Sequence, residues 1–287
     1  MELAKVNGSD LYRQGLAGDS FNTAVYLART GMQVEYLTRL GNDAFSDTIV
    51  DLLRQEGIGS EGIRRVAGAN PGLYIIRNDD DGERHFSYWR EHSPARQLFD
   101  RPTSLADIDA FYFTGITLAV TRSGLVNLQA LLVALRERGV RVIFDPNYRA
   151  RLWDSREQAQ RNYEAVLPLC DMVLPTLEDE TALWGIDRVE DCNRFYQGYG
   201  VSELVVKGPQ LVAHVFTEGE HFSRQASAVA AVDATGAGDS FNAGYLAVRL
   251  RGGPPGAALD SAQQLAAAVV QHRGAIIPRE ITESNGD

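Results

Sequence analysis

The residues best suited to do chemistry lie in one run, Asp233-Ala-Thr-Gly-Ala-Gly-Asp-Ser-Phe-Asn-Ala-Gly-Tyr245. Phe241, Tyr245 and Val248 repeat at helical spacing, so the run passes from a glycine-rich turn into a helix. Gly236 and Gly238 let backbone N–H groups converge without side chains in the way, and the helix N-terminus adds unpaired donors and the positive end of a dipole. Together these make an anion hole. Asp239 falls in the first helical turn, where the same dipole favours its ionised form and leaves it able to accept a proton from a hydroxyl. A carboxylate beside an anion hole is what phosphoryl transfer to an alcohol requires, one part stabilising the transferring charge and the other orienting the nucleophile. An acidic residue after a Gly-x-Gly turn can also be a plain helix cap, and it is the length of the string that favours chemistry.

The elements around this run follow an α/β pattern. Phe21, Ala24, Val25 and Ala28 keep the spacing of an amphipathic helix, as do Leu125, Leu128, Leu132 and Leu135, and Ala262, Leu265, Ala266 and Val269. Between such helices stand short apolar runs of strand length: Val34–Leu37, Ala110–Phe113, Val140–Phe144, Met172–Leu174 and Leu204–Val206. Alternation of this kind predicts a central, mostly parallel sheet covered by helices on both faces. Ile63–Val66, Gly72–Ile76 and Arg84–Trp89 break the rhythm as consecutive strands, with Asp79-Asp80-Asp81-Gly82 as a turn, and predict a small antiparallel flap. Gly252 to Gly256 reads as a loop between two helices.

Composition narrows the class of activity. Of the 287 residues, 44% are hydrophobic and 23% charged, as in soluble globular domains. A net charge of −10 argues against a general nucleic-acid binder, which needs a broad basic surface. No apolar run approaches the roughly 20 residues that cross a bilayer, and the start MELAKVNGSD has no signal-like apolar core, so a cytoplasmic protein without a membrane partner is expected. Cys170 and Cys192 lack the spacing of a metal site or redox motif and read as reduced thiols.

The string Asp-Ala-Thr-Gly-Ala-Gly-Asp-Ser-Phe-Asn-Ala-Gly resembles the C-terminal signature of the ribokinase-like, or PfkB-type, carbohydrate kinases. Gly18-Asp19-Ser20-Phe21-Asn22-Thr23-Ala24 resembles the family's sugar-binding signature, and Leu40-Gly41-Asn42-Asp43-Ala44-Phe45 its Gly-x-Asp-x-x-Gly neighbourhood. The resemblance spans essentially the whole chain and implies one ribokinase-like domain over 1–287, with a β lid at about 60–92. It also implies a buried first strand that is expected to be missing ahead of Met1-Glu-Leu, ATP and Mg²⁺ as cofactors, and a homodimer through the lid. Within the family, Gly72-Leu-Tyr74, Phe86-Ser-Tyr-Trp-Arg90, Phe144-Asp-Pro-Asn-Tyr-Arg149 and Gly274-Ala-Ile-Ile-Pro-Arg279 are similar to the 2-keto-3-deoxygluconate kinases. An acid sugar suits Arg90 and Arg149, because guanidinium groups bind carboxylates through paired, charge-assisted hydrogen bonds.

By that resemblance Gly18, Asp19, Asn22, Tyr74, Tyr88, Arg90 and Arg149 would contact the sugar and Asp239 would accept its proton. Asn147, Lys207, Gly236, Ala237 and Gly238 would contact the nucleotide. Alternation along a strand puts Tyr88 and Arg90 on one face and Trp89 on the other. The chain departs from the family at Ala17-Gly18, where a Gly-Gly pair is usual, and at Lys207-Gly-Pro-Gln210, where the loop is usually richer in glycine. Thr176-Leu-Glu-Asp179 stands in place of Asn-x-x-Glu, so no metal ligand is assigned. A fructose or ribose kinase, or a relative that binds without catalysis, are the alternatives.

Overall fold

A computed structural model describes residues 1–6, 9–78 and 84–283. They fall into two compact units, Met1–Leu98 and Phe99 onward. The turn expected at Asp79 to Gly82 lies outside the described residues, as does any account of the Phe86 side chain.

The first unit holds β1 (Glu2–Lys5), β2 (Tyr12–Gly15), α1 (Asp19–Arg29), β3 (Thr38–Gly41), α2 (Ala44–Gln55), β4 (Ile63–Val66), β5 (Leu73–Asn78) and β6 (Arg84–Trp89). Four strands form one sheet in the order β2-β1-β5-β6, with antiparallel pairs β2–β1 and β5–β6 joined along a parallel pair, β1–β5. The expected flap thus has β5 and β6 as read, but its remaining strands are β1 and β2. Ile63–Val66 instead pairs in parallel with β3, because strand-like residues show that a backbone needs a partner and not which strand supplies it. The run Val34–Leu37 makes only an isolated bridge, Glu35 to Gly59, and the regular strand begins at Thr38. Asp43 caps α2, accepting from the backbone N–H groups of Phe45 and Ser46 at 2.9 and 3.1 Å. A Cβ on Gly41 would lie 1.7 Å from the Ala69 carbonyl oxygen, so the Leu40-Gly41 motif is a place of close backbone approach. Arg29 and Glu56, both buried, pair through two bonds of 2.9 and 2.7 Å.

The second unit carries β7 (Ala110–Thr114), α3 (Gly115–Val120), α4 (Leu125–Glu137), β8 (Arg141–Asp145), α5 (Arg156–Glu164), β9 (Met172–Val173), α6 (Leu177–Trp184) and α7 (Val189–Gln197). It continues with β10 (Glu203–Lys207), β11 (Val212–Thr217), β12 (Glu220–Gln225), α8 (Ala237–Arg249), α9 (Pro255–Val270) and α10 (Arg279–Glu283). Its six-stranded sheet runs β12-β11-β10-β9-β8-β7, with β7 to β10 mutually parallel and β11 and β12 antiparallel at one edge. Helices flank this mostly parallel sheet. Val142, Ile143, Phe144, Val173, Val205 and Val206 are completely buried, as expected of parallel strands covered on both faces. Leu128, Leu132 and Leu135 bring α4 onto the sheet. A Cβ on Gly244 would meet the Ala262 Cα at 2.9 Å, so this glycine sets how closely α8 approaches α9. Both cysteines are free and buried, which pushes their thiols up. No described helix is long and apolar enough to cross a membrane.

Candidate active site

The glycine-rich run of the second unit has the geometry its residues imply. Gly236 takes φ 81°, a left-handed conformation, and a Cβ there would stand 2.9 Å from the Ala275 carbonyl oxygen. Asp233, buried just ahead, accepts from the Thr235 N–H at 3.0 Å, the Thr235 hydroxyl at 2.7 Å and the Gly274 N–H at 3.1 Å. The loop is therefore tied to the Gly274-Ala275 segment before α8 begins at Ala237. Asp239 lies half-buried in the first turn of α8, and Gly238 is exposed beside it.

One turn further on, Asn242 connects α8 to the sheet. Its amide nitrogen donates to Asp145 Oδ2 at 2.9 Å and to the Tyr112 hydroxyl at 3.2 Å. Its oxygen accepts from Lys207 Nζ at 2.9 Å, and that amine stands 3.7 Å from Asp145 Oδ1. Asp145 and Lys207 are the last residues of β8 and β10, so the network joins the carboxyl ends of two parallel strands to the helix of the glycine-rich run. Open α/β sheets bind ligands beyond these ends. The expected nucleotide residue Lys207 is thus largely buried with its amine in this network. Asn147, two residues past Asp145, is buried and takes φ 35°, which Asn tolerates better than most residues. Arg149 donates to its neighbour's carbonyl, Tyr148 O, at 2.8 Å and pairs with Asp179 at 3.3 Å. Burial raises the Asp179 carboxyl, against the lowering effect of Arg149. In the loop after β10, Gln210 and Leu211 both take left-handed φ, 55° and 61°, so a chain without glycine at these positions still makes the tight turn.

The first unit positions its own set. Gly18 caps the N-terminus of α1 in extended conformation and donates its N–H to Asn22 Oδ1 at 3.3 Å, while Asp19 occupies the first turn. Asn22 is buried. Tyr74 and Tyr88 are register partners across β5 and β6, with ring centroids 6.0 Å apart. Arg90 stacks over the Tyr88 ring at 4.4 Å, as a shared strand face requires, and Trp89 is 57% exposed. The Tyr74 hydroxyl donates to Glu2 Oε2 at 2.6 Å.

The structure therefore assembles Gly236 to Asp239 with Lys207 and, through Asp145, the Asn147 turn. It separately assembles Tyr74, Tyr88 and Arg90. Sequence reasoning passed over Asp145, Asn242, Asp233 and Glu2. Asp145 and Asn242 stood inside the motifs already singled out, and an acidic residue ending a buried strand was the available signal. Glu2 offered none, because its partner is 72 positions away.

A family model for pfkB family carbohydrate kinases matches residues 6–282. A 2-dehydro-3-deoxygluconokinase from Dickeya dadantii is 40% identical over 288 residues, covering 95% of this chain and 93% of its own length. A probable fructokinase-4 from Arabidopsis thaliana is 30% identical over 230 residues, 78% of this chain and 70% of its own. Among solved structures, a PfkB protein from Polaromonas sp. matches with TM-score 0.84 at 25% identity, covering 100% of this chain and 96% of that one. The chain belongs to the pfkB family of carbohydrate kinases.

Proposed function

We propose that this kinase transfers the γ-phosphoryl group of ATP to 2-keto-3-deoxygluconate (2-dehydro-3-deoxygluconate), giving 2-keto-3-deoxy-6-phosphogluconate. The observation that carries the reading is Asp239 in the first turn of α8, directly after the left-handed Gly236 turn. In this reading Asp239 accepts the proton of the attacking hydroxyl, and the N–H groups from Gly236 to Gly238 hold the phosphoryl oxygens. Asn147 and Lys207 serve the nucleotide end, Lys207 by supplying positive charge beneath α8. Gly18, Asp19, Asn22, Tyr74, Tyr88, Arg90 and Arg149 bind the sugar acid, with Arg90 on its carboxylate. Both compact units count as one kinase domain.

Mg²⁺ enters as the partner of ATP and neutralises charge on the phosphates. Such an ion is held largely by phosphate oxygens and water. The cytoplasm and a homodimer through the four-stranded sheet complete the proposal. Leu11 and Trp89, beside and on that sheet, are 70% and 57% exposed.

The test is transfer of label from the γ-phosphate of ATP. Labelled 2-keto-3-deoxygluconate phosphate is expected, with one ADP formed per sugar. Label on fructose alone would favour the fructokinase reading, to which a 30% identical relative lends weight. Nucleotide binding without label on any sugar would mean a non-catalytic relative.

A further inference from the structure

Register places four positions in one row across the sheet of the first unit. Gly15 faces Glu2 on β1, Glu2 faces Tyr74 on β5, and Tyr74 faces Tyr88 on β6. Residues that face one another across neighbouring strands share a sheet face, so their side chains form one line. Arg90 extends that line by stacking on Tyr88. A Cβ at Gly15 would lie 3.3 Å from Glu2 Oε1, so the glycine leaves room for the carboxylate on that side. Glu2 Oε2 accepts from the Tyr74 hydroxyl at 2.6 Å, a short bond of the kind a charged acceptor makes.

A phenol has one proton to give. With that proton directed at Glu2, the Tyr74 oxygen offers only lone pairs to anything else in the row. Burial, then the bond to Glu2, hold the phenol well above its ordinary range, so it stays neutral and keeps this polarity. The row thus carries an acceptor at Tyr74 and a donor cation at Arg90. A sugar acid has the complementary pattern, hydroxyl donors at one end and a carboxylate acceptor at the other.

We infer that Glu2 is a positioning residue for substrate selection: it fixes the Tyr74 hydroxyl as an acceptor for a sugar hydroxyl and does not itself need to touch the sugar. This inference rests on the assignment of Tyr74 and Arg90 to the sugar acid. Glu2→Gln reverses the polarity, since an amide N–H can donate to the phenol oxygen and turn its proton toward the sugar. Glu2→Asp keeps the charge and withdraws it from the phenol.

The experiment measures KM and kcat for 2-keto-3-deoxygluconate, and KM for ATP, in wild type, Glu2→Gln, Glu2→Asp, Tyr74→Phe, the Glu2→Gln/Tyr74→Phe double variant and Arg90→Ala. Both Glu2 variants should raise the sugar KM by about tenfold, with kcat and the ATP KM within about twofold of wild type. Because Glu2 acts through Tyr74, the double variant should be no worse than Tyr74→Phe alone. If Glu2→Gln fails to fold, Glu2→Asp and a Glu2→Asp/Tyr74→Phe double variant carry the same comparison. An unchanged sugar KM in the Glu2 variants, with a raised one in Arg90→Ala, overturns the role of Glu2 and leaves the acid-sugar assignment standing. Additive losses in the double variant also overturn it, because Glu2 would then act without Tyr74. An unchanged sugar KM in every variant overturns the acid-sugar assignment itself.

Discussion

Asp239 and Asn242 are one helical turn apart on α8, and the proposed chemistry falls on the less buried of the two. Asn242 is completely buried and bonded to Asp145, Tyr112 and Lys207. Asp239 is half-buried beside the glycine turn, where a hydroxyl nucleophile could reach it. Asp239→Asn should therefore keep the fold and ATP binding but lower kcat by at least about a hundredfold, because the amide cannot take the proton. Near-normal turnover by the folded variant would remove Asp239 from this role. Asn242→Leu should do the reverse in part, leaving Asp145 and Lys207 without their shared partner and lowering stability by about 1–3 kcal/mol. Urea unfolding checks this, and an unchanged midpoint would mean that water replaces the amide at no cost.

Element α8 is held to β10 from its middle to its end. Midway, Asn242 accepts from Lys207. At its end, Arg249 donates to Glu203 at 2.8 and 2.6 Å, and Tyr245 donates to the same carboxylate at 2.6 Å. The loop entering α8 is then decided by its glycines. Gly236→Ala puts a side chain on a left-handed residue against Ala275 and should cost about 1–3 kcal/mol. Gly238→Ala meets nothing within 4 Å and lies within the helix, so stability should hold or rise by about 0.5–1 kcal/mol. Loss of ATP turnover in Gly238→Ala would thus report on the phosphate and not on the fold; thermal melting of both variants beside their kinetics makes the comparison. Much of this element was legible, since Phe241, Tyr245 and Val248 already marked a helix after a glycine turn. The strands at Ala110, Val140 and Leu204 were legible for the same reason, a buried apolar run between helices. The pairing of Ile63–Val66 with β3 was not, because a short Ile-Arg-Arg-Val strand with no buried residue does not show which neighbour its backbone will meet. Nor was the Asn242–Asp145 bond, which joins residues 97 positions apart.

At the scale of the whole molecule, stability should depend on pH through Glu180 of α6. It is completely buried, accepts from the Tyr196 hydroxyl at 2.9 Å, and its Oε1 has no hydrogen-bond partner among the described residues. Burial pushes its carboxyl up to about 8. The native state therefore holds this proton more tightly than the unfolded chain, whose Glu titrates near about 4.3. The contribution is complete below that value and is lost as pH rises toward about 8. Glu180→Gln should unfold later than wild type in urea at pH 8 and flatten part of the decline between about pH 5 and 8. Identical pH profiles would contradict this. The central claim, an acid-sugar kinase, depends on Arg90 stacked over Tyr88 and on Asp239 acting in one enzyme. Its most direct measurement is the ratio of kcat/KM for 2-keto-3-deoxygluconate to that for fructose, with ATP and Mg²⁺, in wild type and Arg90→Ala. The ratio should favour the acid sugar in wild type and fall by about 30-fold or more in Arg90→Ala, through loss of the acid sugar alone. A wild-type ratio below one, or an equal loss on both sugars, would contradict the account.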